Sequence, residues 1–391
     1  MRSSHKTAFS IVGFISVASL LCLFARNVGA ADKPEAPSDP RQAMVTALAA
    51  LSPHPSLGDE ARAFDRFVGT WDCDFTFFLP DGNTKHSAGE LEFGWILDGQ
   101  AVQDIWITYP QEAGKERGIG TTVRFFDAKA KTWRIIFVGP AYGALITVQG
   151  GTEGDRIVLR GVDNEGTMLR WSFNAIQADS FTWRGETSRD GGKTWKLEEE
   201  HHMSRRRGSS PAAKLAASGA NDPRTDMIRT LRSSGPSPAL GAQAQVFDRF
   251  IGTWDLDCVL YGGKGEVKRF SGQWIFGWVL DGKLEQDVII TGGEGERRPR
   301  GTTLRFYDAR SRNWRIVWIA PESGNVAILK GGAVGDRIVL EGVDANSGTF
   351  RWSFNDIHRD SFVWRGEVSV DGGKTWRLEQ EMRLKRRNPI A

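Results

Sequence analysis

Phe64-Asp65-Arg66-Phe67-Val68-Gly69-Thr70-Trp71-Asp72 decides the fold, and it returns 183 residues later as Phe247-Asp248-Arg249-Phe250-Ile251-Gly252-Thr253-Trp254-Asp255. The pattern predicts a helical turn that ends at the glycine and is followed by the first strand of a β-barrel. Gly69 and Gly252 suit a backbone bend at the start of that strand. Trp71 and Trp254 bring a large apolar ring to the closed end of the barrel, where each indole N–H needs one hydrogen-bond partner.

The repeat extends over nearly the whole chain. Asp39-Pro40-Arg41 and Asp222-Pro223-Arg224 open the two copies. Each opening is followed by a short amphipathic helix, with apolar residues at Met44, Leu48 and Leu51 in the first copy and at Met227, Ile228 and Leu231 in the second. We predict two domains, residues 39–206 and 222–387, joined by a flexible linker at residues 207–221 that is rich in Ser, Ala and Gly.

The strand pattern gives the fold class. Strand-like segments and turns follow one another closely in each copy, and no helix of length lies between strands, which excludes an alternating α/β plan. Each copy has room for roughly eight to ten short strands. An open sheet of that size would leave unpaired edges, and closure into a barrel removes them. We therefore predict an all-β protein with two tandem antiparallel β-barrels, each preceded by a short helix.

Residues 1–30 are expected to be a secretory signal peptide. Arg2 and Lys6 form a positive segment, residues 8–24 form an apolar core, and Val28-Gly29-Ala30 is a small-residue cleavage site. The alternative is an uncleaved anchor, but the apolar core is at the short limit for spanning a bilayer. We expect cleavage, a periplasmic or secreted mature protein, and no membrane span afterwards.

Charge and spacing exclude several classes of site. A net charge of +3 without a basic stripe argues against nucleic acid. The basic runs Arg205-Arg206-Arg207 and Lys385-Arg386-Arg387 are expected to be solvated strand ends. Cys73 and Cys258 do not occupy equivalent repeat positions, so we expect two separate apolar side chains and no disulfide. No two of the six histidines are equivalent either, so we expect no metal site shared by the copies.

The ordered set of motifs resembles the lipocalin signature of the calycin superfamily. More closely, it is similar to secreted bacterial lipocalin-like domains of unknown function, which are distantly similar to nitrobindin. The residues that carry the resemblance, with their second-copy partners, are Gly69-Thr70-Trp71, Gly94-Trp95-Ile96-Leu97-Asp98-Gly99, Gln103-Asp104, Asp127 and the hairpin at Trp195.

The resemblance implies a barrel with an interior pocket and a late-strand arginine that stacks on the first-strand tryptophan. Arg184 and Arg365 are the candidates for that arginine. Nitrobindin would use a barrel histidine to bind haem, and here His201 or His202 are the candidates. The second copy has Met382 and Arg383 at those positions, which departs from the nitrobindin pattern. We therefore expect no cofactor and no metal.

A second repeated motif is Ser188-Arg189-Asp190-Gly191-Gly192-Lys193-Thr194-Trp195, which returns as Ser369-Val370-Asp371-Gly372-Gly373-Lys374-Thr375-Trp376. It resembles the Asp-box hairpin of sialidase propellers. Asp190 and Asp371 can accept backbone N–H groups in the turn, while Trp195 and Trp376 anchor the hairpin. A glycosidase is one interpretation. We favour a stabilising turn, because one box per domain does not make a propeller.

Aromatic and charged residues alternate along the late strands, so one strand face packs and the other does not. The simplest assignment places the aromatic residues inside the barrel and the charges in water. A sharper hypothesis has some Arg and Glu side chains lining the interior or its opening, where they would hold an anionic or polar ligand. The candidate ligand-binding residues are Trp95, Asp104, Trp106, Arg124, Trp171, Trp183, Arg184, Glu186, Trp278, Asp287, Arg305, Trp352, Trp364, Arg365 and Glu367.

We predict non-catalytic binding of a small apolar or aromatic ligand, possibly anionic, inside one or both barrels. The prediction requires interior space that Trp and Phe side chains do not fill. One alternative is an isomerase or hydrolase that uses Asp104 or Asp287, or Glu186 or Glu367, with Arg184 or Arg365; it requires an interior carboxylate with a raised pKa. Another is an envelope structural or interaction module with filled barrels and a large apolar outer face. The sequence leaves the oligomeric state open.

Overall fold

The computed structural model describes residues 40–59, 62–112, 114–163, 165–207, 224–262, 265–293, 296–344 and 348–387. The predicted signal peptide lies outside the described residues, and so does the predicted linker except Arg207. Two closed antiparallel barrels of ten strands each make up most of the described chain, which confirms the predicted fold class.

Barrel 1 follows helix α1 (Pro40–Leu48). Its strands run in chain order around the barrel, and β1 pairs with both β2 and β10, which closes the sheet. The strands are β1 (Gly69–Phe78), β2 (Thr84–Ile96), β3 (Ala101–Thr108), β4 (Gly118–Asp127), β5 (Thr132–Gly139), β6 (Ala144–Glu153), β7 (Arg156–Val162), β8 (Met168–Asn174), β9 (Ser180–Ser188) and β10 (Lys196–Arg205).

Barrel 2 follows helices α2 (Thr225–Leu231) and α3 (Ala244–Asp248) and has the same topology, with β11 paired to both β12 and β20. Its strands are β11 (Gly252–Tyr261), β12 (Val267–Val279), β13 (Leu284–Thr291), β14 (Arg298–Asp308), β15 (Asn313–Ala320), β16 (Asn325–Val334), β17 (Arg337–Asp344), β18 (Gly348–Asn355), β19 (Ser361–Ser369) and β20 (Arg377–Arg386).

The Gly-Thr-Trp strand begins each barrel as the sequence predicts. Gly69 has φ of 120° and Gly252 has φ of 116°, which glycine adopts without the strain that a side chain would cause. The Trp71 indole N–H donates to the carbonyl of Phe67 at 2.7 Å. The equivalent bond in barrel 2, from Trp254, is 2.6 Å long. Both rings are buried, and their polar atoms are satisfied within the turn that precedes the strand.

The arginines that cover these indoles are not the predicted ones. The Arg205 guanidinium lies 4.0 Å from the ring centroid of Trp71, and that of Arg386 lies 4.1 Å from the centroid of Trp254. The basic run at Arg205 is therefore not merely a solvated strand end. Arg205 also donates to three backbone carbonyls, at 2.6 to 3.0 Å, those of Arg66, Val68 and Ala178.

Side chains alternate between an aromatic interior and an outer face. Trp71, Cys73 and Phe75 point into barrel 1 and are buried, while Asp72 and Asp74 between them are exposed. Cys73 and Cys258 are buried side chains in separate barrels, as predicted, and burial raises the pKa of Cys73. The interior of each barrel is thus lined mainly by apolar and aromatic side chains.

A third core lies between the barrels, built from the outer faces of β2–β5 and β12–β15 with α1 and α2. The helices are exchanged: α1 packs mainly on β12, and α2 packs on β2. Met44 of α1 lies over Gly277, and Met227 of α2 lies over Gly94, so that a Cβ at either glycine would crowd the methionine. Leu51 was expected to share this apolar face, but α1 ends at Leu48 and Leu51 is exposed.

The barrels are related by an approximate two-fold arrangement. Gln103 and Gln286, which occupy equivalent positions, exchange two amide hydrogen bonds of 3.2 and 3.1 Å at the centre of the interface. Arg134 donates to the carbonyl of Gly324 in the other barrel at 2.6 Å, and Arg315 donates to that of Gly143 at 2.9 Å. Each of these contacts across the interface therefore has a counterpart from the other barrel.

Candidate functional site

A buried ion pair links β3 and β4 inside barrel 1. Arg124 Nη2 donates to Asp104 Oδ2 at 2.5 Å, and Asp104 Oδ1 accepts the backbone N–H of Thr122 at 3.2 Å. The two charged side chains are 6% and 3% exposed. The guanidinium carbon lies 5.2 to 5.9 Å from three aromatic ring centroids, those of Phe64, Phe93 and Phe173.

Arg124 is only partly satisfied by this pair. Its Nε and Nη1 atoms have no hydrogen-bond partner among the described residues. A buried donor without an acceptor typically costs about 1–3 kcal/mol. The interior of barrel 1 therefore presents an unpaired terminal guanidinium nitrogen, Nη1, whose N–H groups a carboxylate or a similar acceptor can satisfy.

Barrel 2 holds an additional carboxyl group at the same place. Arg305 Nη1 donates to Glu285 Oε2 at 2.6 Å, and Arg305 Nη2 lies 2.6 Å from Asp287 Oδ2. Asp287 Oδ1 also accepts the backbone N–H of Thr303 at 3.0 Å. All three charged side chains are at most 1% exposed. Both terminal nitrogens of Arg305 are thus engaged by side chains of its own barrel.

Burial sets the protonation of this cluster. It raises the pKa of Glu285 to about 8 and also raises that of Asp287, while the Arg305 guanidinium acts in the opposite direction on both. One guanidinium balances one carboxylate, so at neutral pH the two carboxyl groups share one proton. The raised pKa meets one requirement of an acid–base enzyme. However, both groups are fully buried against Arg305, so no substrate can contact them in this arrangement.

Two substitutions between the copies account for the difference around the arginines. Val102 lies directly across from Arg124, where Glu285 lies across from Arg305. Leu91 takes the place of Trp274, whose ring centroid is 5.9 Å from the guanidinium carbon of Arg305. Barrel 1 therefore has the smaller side chain at both positions. Neither position was among the predicted site residues, although comparing the two copies residue by residue would have found both.

A belt of aromatic side chains surrounds the interior of barrel 1. Neighbouring ring centroids along it are 4.8 to 6.4 Å apart. We call this set the aromatic belt, and its members in order are Tyr142, Trp106, Phe75, His201, Trp183, Trp171 and Phe137.

His201 is the polar member of the belt. Its ring stacks on Trp183 with centroids 4.9 Å apart and planes 7° apart. Its Nε2 atom lies 3.1 Å from Glu199 Oε2, whereas Nδ1 has no hydrogen-bond partner among the described residues. His202, the other predicted haem candidate, lies on the outer face, where Nε2 is 3.3 Å from Glu200.

The three tryptophans of the aromatic belt are more exposed than their counterparts in barrel 2. Trp106, Trp171 and Trp183 are half-buried, and Tyr142 is exposed. In barrel 2 the residues equivalent to the last two tryptophans, Trp352 and Trp364, are only 7% and 4% exposed. The other equivalents are smaller or buried: Ser323, Ile289, Cys258, Met382 and Trp318. Barrel 1 thus presents aromatic surface to solvent where barrel 2 is closed.

Trp95 and Trp278, which were predicted to contact ligand, have a visible structural role instead. The Trp95 indole N–H donates to Asp65 at 2.9 Å, and that of Trp278 donates to Asp248 at 2.8 Å. Each bond ties β2 or β12 to the turn that precedes the first strand of its barrel. Both rings are buried, so their polar atoms are already used.

Four predicted residues lie on the outer faces, so the hypothesis that they line the interior is wrong for them. Arg184 pairs with Glu200, and Arg365 pairs with Glu381. Glu186 accepts two 2.7 Å bonds from Arg170, which stacks on Trp195 at 4.2 Å. Glu367 holds Arg351 over Trp376 in the same way. The sequence could not show that the tryptophans of these strands take the interior face.

Two surface recesses accompany these outer faces. One of about 290 Å³ lies on β5–β7 and is bounded by Arg134, Gln149, Arg160 and, from barrel 2, Val326. The other, of about 120 Å³, is lined on β17–β19 by residues that include Arg365 and Glu367. Neither recess reaches Arg124 or Arg305.

The repeated hairpin has the hydrogen bonds expected of a stabilising turn. Asp190 Oδ1 accepts the backbone N–H groups of Lys193 and Thr194 at 3.0 and 2.9 Å, and Oδ2 accepts the Thr194 hydroxyl at 2.6 Å. The Trp195 indole donates to Gly192. These bonds, led by that of the Thr194 hydroxyl, lower the pKa of Asp190 to about 2. Asp371 has the same bonds and also a pKa of about 2.

The described part of the chain lacks two further features. It contains no group of three or more His, Cys, Asp or Glu side chains that could hold a metal ion. Among the same residues, no helix combines the length and apolarity needed to cross a bilayer.

Comparisons with known proteins give one family match and several structural similarities. The BNR/Asp-box repeat matches residues 186–197, which form the hairpin at Trp195. No curated protein matches the sequence. Similar solved structures include an S-type phycobiliprotein lyase from Guillardia theta, with 11% identity, a TM-score of 0.29, and coverage of 37% of this chain and 90% of that one.

Two other solved structures show comparable similarity. A protein from M. tuberculosis is 16% identical over 39% of this chain and 99% of its own, with a TM-score of 0.30. A protein of unknown function from the DUF3598 family, from Nostoc punctiforme, is 14% identical over 85% of this chain and 100% of its own, with a TM-score of 0.27. Identities and TM-scores at this level assign no function, and the repeat match covers one hairpin, so the chain is defined by its two closed barrels.

Proposed function

We propose that barrel 1 binds a small, mainly apolar or aromatic molecule at the aromatic belt. The observation that carries this proposal is the contrast in exposure at equivalent positions: Trp171 and Trp183 are half-buried, while Trp352 and Trp364 are buried. Flat aromatic surface at the end of an apolar interior offers stacking and burial to a ligand, and a few polar groups then fix its orientation. Arg124 and His201 supply such groups.

Barrel 2 has a structural role in this proposal. Its interior is filled by tryptophans, including Trp274, and its charged cluster is internally paired. Its outer face completes the core between the barrels and covers α1. The prediction of binding in one or both barrels thus narrows to binding in the first.

Titration with the neutral fluorophore N-phenyl-1-naphthylamine tests the proposal. Saturable binding at one site per chain is expected, and Trp183→Leu should weaken it about tenfold because an aromatic contact is lost. The matched variant Trp364→Leu, in barrel 2, should bind as the wild type does. Non-saturable binding, or equal weakening by both variants in folded protein, would refute the assignment to barrel 1.

Native mass spectrometry of protein purified from its own cells gives an independent test. A co-purifying small molecule that is lost from Trp183→Leu but retained by Trp364→Leu would support barrel 1 as the site. Retention of the molecule by both variants would contradict it.

We also propose that the protein acts outside the cytoplasm. The support is the charged, apolar and small-residue segments of residues 1–30. Fractionation of cells producing the full chain, followed by N-terminal sequencing, tests this. Recovery of uncleaved protein in the cytoplasm would overturn it.

A further inference from the structure

The arginines of the two barrels face different partners, although they occupy equivalent positions. Arg305 has the Glu285 carboxyl on one terminal nitrogen and the Asp287 carboxyl on the other. Arg124 has Asp104 on Nη2, and its Nη1 atom, unlike that of Arg305, has no acceptor among the described residues; the Nε atom has none in either arginine. Arg124 is about 95% buried, with 5% of its surface exposed. Bulk water therefore cannot readily form hydrogen bonds to its unpaired N–H groups.

The residues that occupy this space in barrel 2 have two chemical parts. The carboxyl group of Glu285 forms a hydrogen bond with the arginine, and the indole of Trp274 lies between the arginine and Trp364. The Trp274 centroid is 5.9 Å from the Arg305 guanidinium carbon and 6.3 Å from the centroid of Trp364. Trp364 is the counterpart of Trp183 in the aromatic belt.

Barrel 1 lacks both parts. Val102 replaces the carboxyl-bearing residue, and Leu91 replaces the indole. Val102 lies directly across from Arg124 on β4, and Leu91 lies directly across from Trp106 of the belt on β3. Relative to barrel 2, barrel 1 therefore lacks a carboxyl group across from its arginine and an indole on β2, while on β3 it has Trp106 in place of Ile289.

We infer that the ligand of barrel 1 is an aromatic carboxylic acid, whose carboxyl group lies where Glu285 lies in barrel 2 and whose ring lies where Trp274 lies. In barrel 2, the side chains of Glu285 and Trp274 themselves occupy the positions proposed for the ligand. This inference rests on the proposed function, and it adds the chemical class of the ligand and the reason why only one barrel binds.

Reciprocal exchange of the two residues between the barrels tests the inference. The probes are 2-naphthoic acid and its neutral methyl ester, titrated calorimetrically into the full chain at pH 7. The acid should bind at one site per chain and at least tenfold more tightly than the ester. The variant Leu91→Trp/Val102→Glu gives barrel 1 the residues of barrel 2 and should weaken acid binding at least tenfold. The variant Trp274→Leu/Glu285→Val should raise the stoichiometry from one acid per chain to two.

The outcomes separate the inference from the proposed function. If the ester binds as tightly as the acid, or if Leu91→Trp/Val102→Glu binds the acid normally, the inference fails and binding at the belt stands. If neither probe binds, both fail. Circular dichroism and thermal unfolding establish that each variant is folded. Should the barrel 1 variant not fold, the stoichiometry of Trp274→Leu/Glu285→Val decides, because a folded variant with one site overturns the inference.

Discussion

Glu285 lies directly across from Arg305 on the neighbouring strand, and the two share a 2.6 Å hydrogen bond at a position fully shielded from water. A guanidinium would normally keep a facing carboxyl group ionised. Here burial dominates and raises the pKa of Glu285 to about 8, with the Asp287 carboxylate adding to the effect. The stability of barrel 2 should therefore depend on pH in the neutral range.

The direction in which stability changes with pH follows from which state of the protein, folded or unfolded, holds the proton. The folded pKa of Glu285 is above the unfolded value near 4.5, so folded protein keeps a proton that unfolded protein releases. The contribution is full below about pH 4.5 and is lost as the pH rises to about 8. Glu285→Gln removes this titration. We expect the stability of this variant relative to the wild type to increase between pH 5 and 8, by at most about 1.4 kcal/mol per pH unit.

Chemical denaturation at several pH values measures this difference. Glu186→Gln, which changes a partly exposed carboxylate on the outer face, is the control and should show no comparable trend. Parallel stability profiles of Glu285→Gln and the wild type from pH 5 to 8 would contradict the prediction.

Arg205 should contribute more to stability than Arg184, although Arg184 is the residue that the sequence favoured. Arg205 stacks on Trp71 and donates to three backbone carbonyls, whereas Arg184 forms an exposed pair with Glu200. Arg205→Met should lower the free energy of unfolding by about 2–4 kcal/mol. Arg184→Met should lower it by no more than about 1 kcal/mol. Denaturant unfolding of both variants checks this, and equal losses would show that the stack on Trp71 is not important.

Gln103 and Gln286 should be energetically coupled across the barrel interface. Replacing either one by Met leaves the amide of the other buried without its partner, at a cost of about 1–3 kcal/mol. The double variant removes both polar groups, so it should cost less than the sum of the single changes by about 0.5–3 kcal/mol. A double-mutant cycle in denaturant measures the coupling. Strict additivity would mean that the reciprocal amide bonds do not hold the barrels together.

The Asp-box turns should be sensitive to acid. The pKa of Asp190 is about 2, below the ordinary value of 3.8, mainly because the Thr194 side chain and backbone donate to the carboxylate. Its stabilising effect is present above about pH 4 and is lost as the pH falls through 2. Asp190→Asn should lower Tm at pH 7, and this deficit should shrink between pH 4 and pH 2. Thermal melts check this, with Asp371→Asn as a second copy of the experiment; a deficit independent of pH would contradict it.

The sequence predicted the closed barrels because their signals are local and doubled. The glycine that bends into β1, the indole that needs one acceptor and the Asp-box turn each depend on residues within a few positions of one another, and each occurs twice. Assigning the arginine that covers Trp71 was different. Arg205 is 134 residues away along the chain from that ring, and no local pattern distinguishes it from Arg184.

The candidate site was predictable only in part. Asp104, Arg124 and their counterparts were named because both copies retain them, and the structure places them inside the barrels. Glu285 and Leu91 were missed because the candidate residues were chosen mainly where the two copies have the same side chain. These two positions have different side chains in the two copies. The outward placement of Glu186 could not be predicted, since alternation separates two faces without stating which one is inside.

The exchanged helices make each half of the chain depend on the other. A half containing only residues 40–206 would carry α1 without the barrel that α1 covers, and its β2 would lack the helix that covers Gly94. Two identical halves would supply each other with both contacts, so the interface has the pairing expected of a homodimer of one half. Because both halves belong to one polypeptide they need not be identical, and they differ at Leu91 and Trp274 and at Val102 and Glu285.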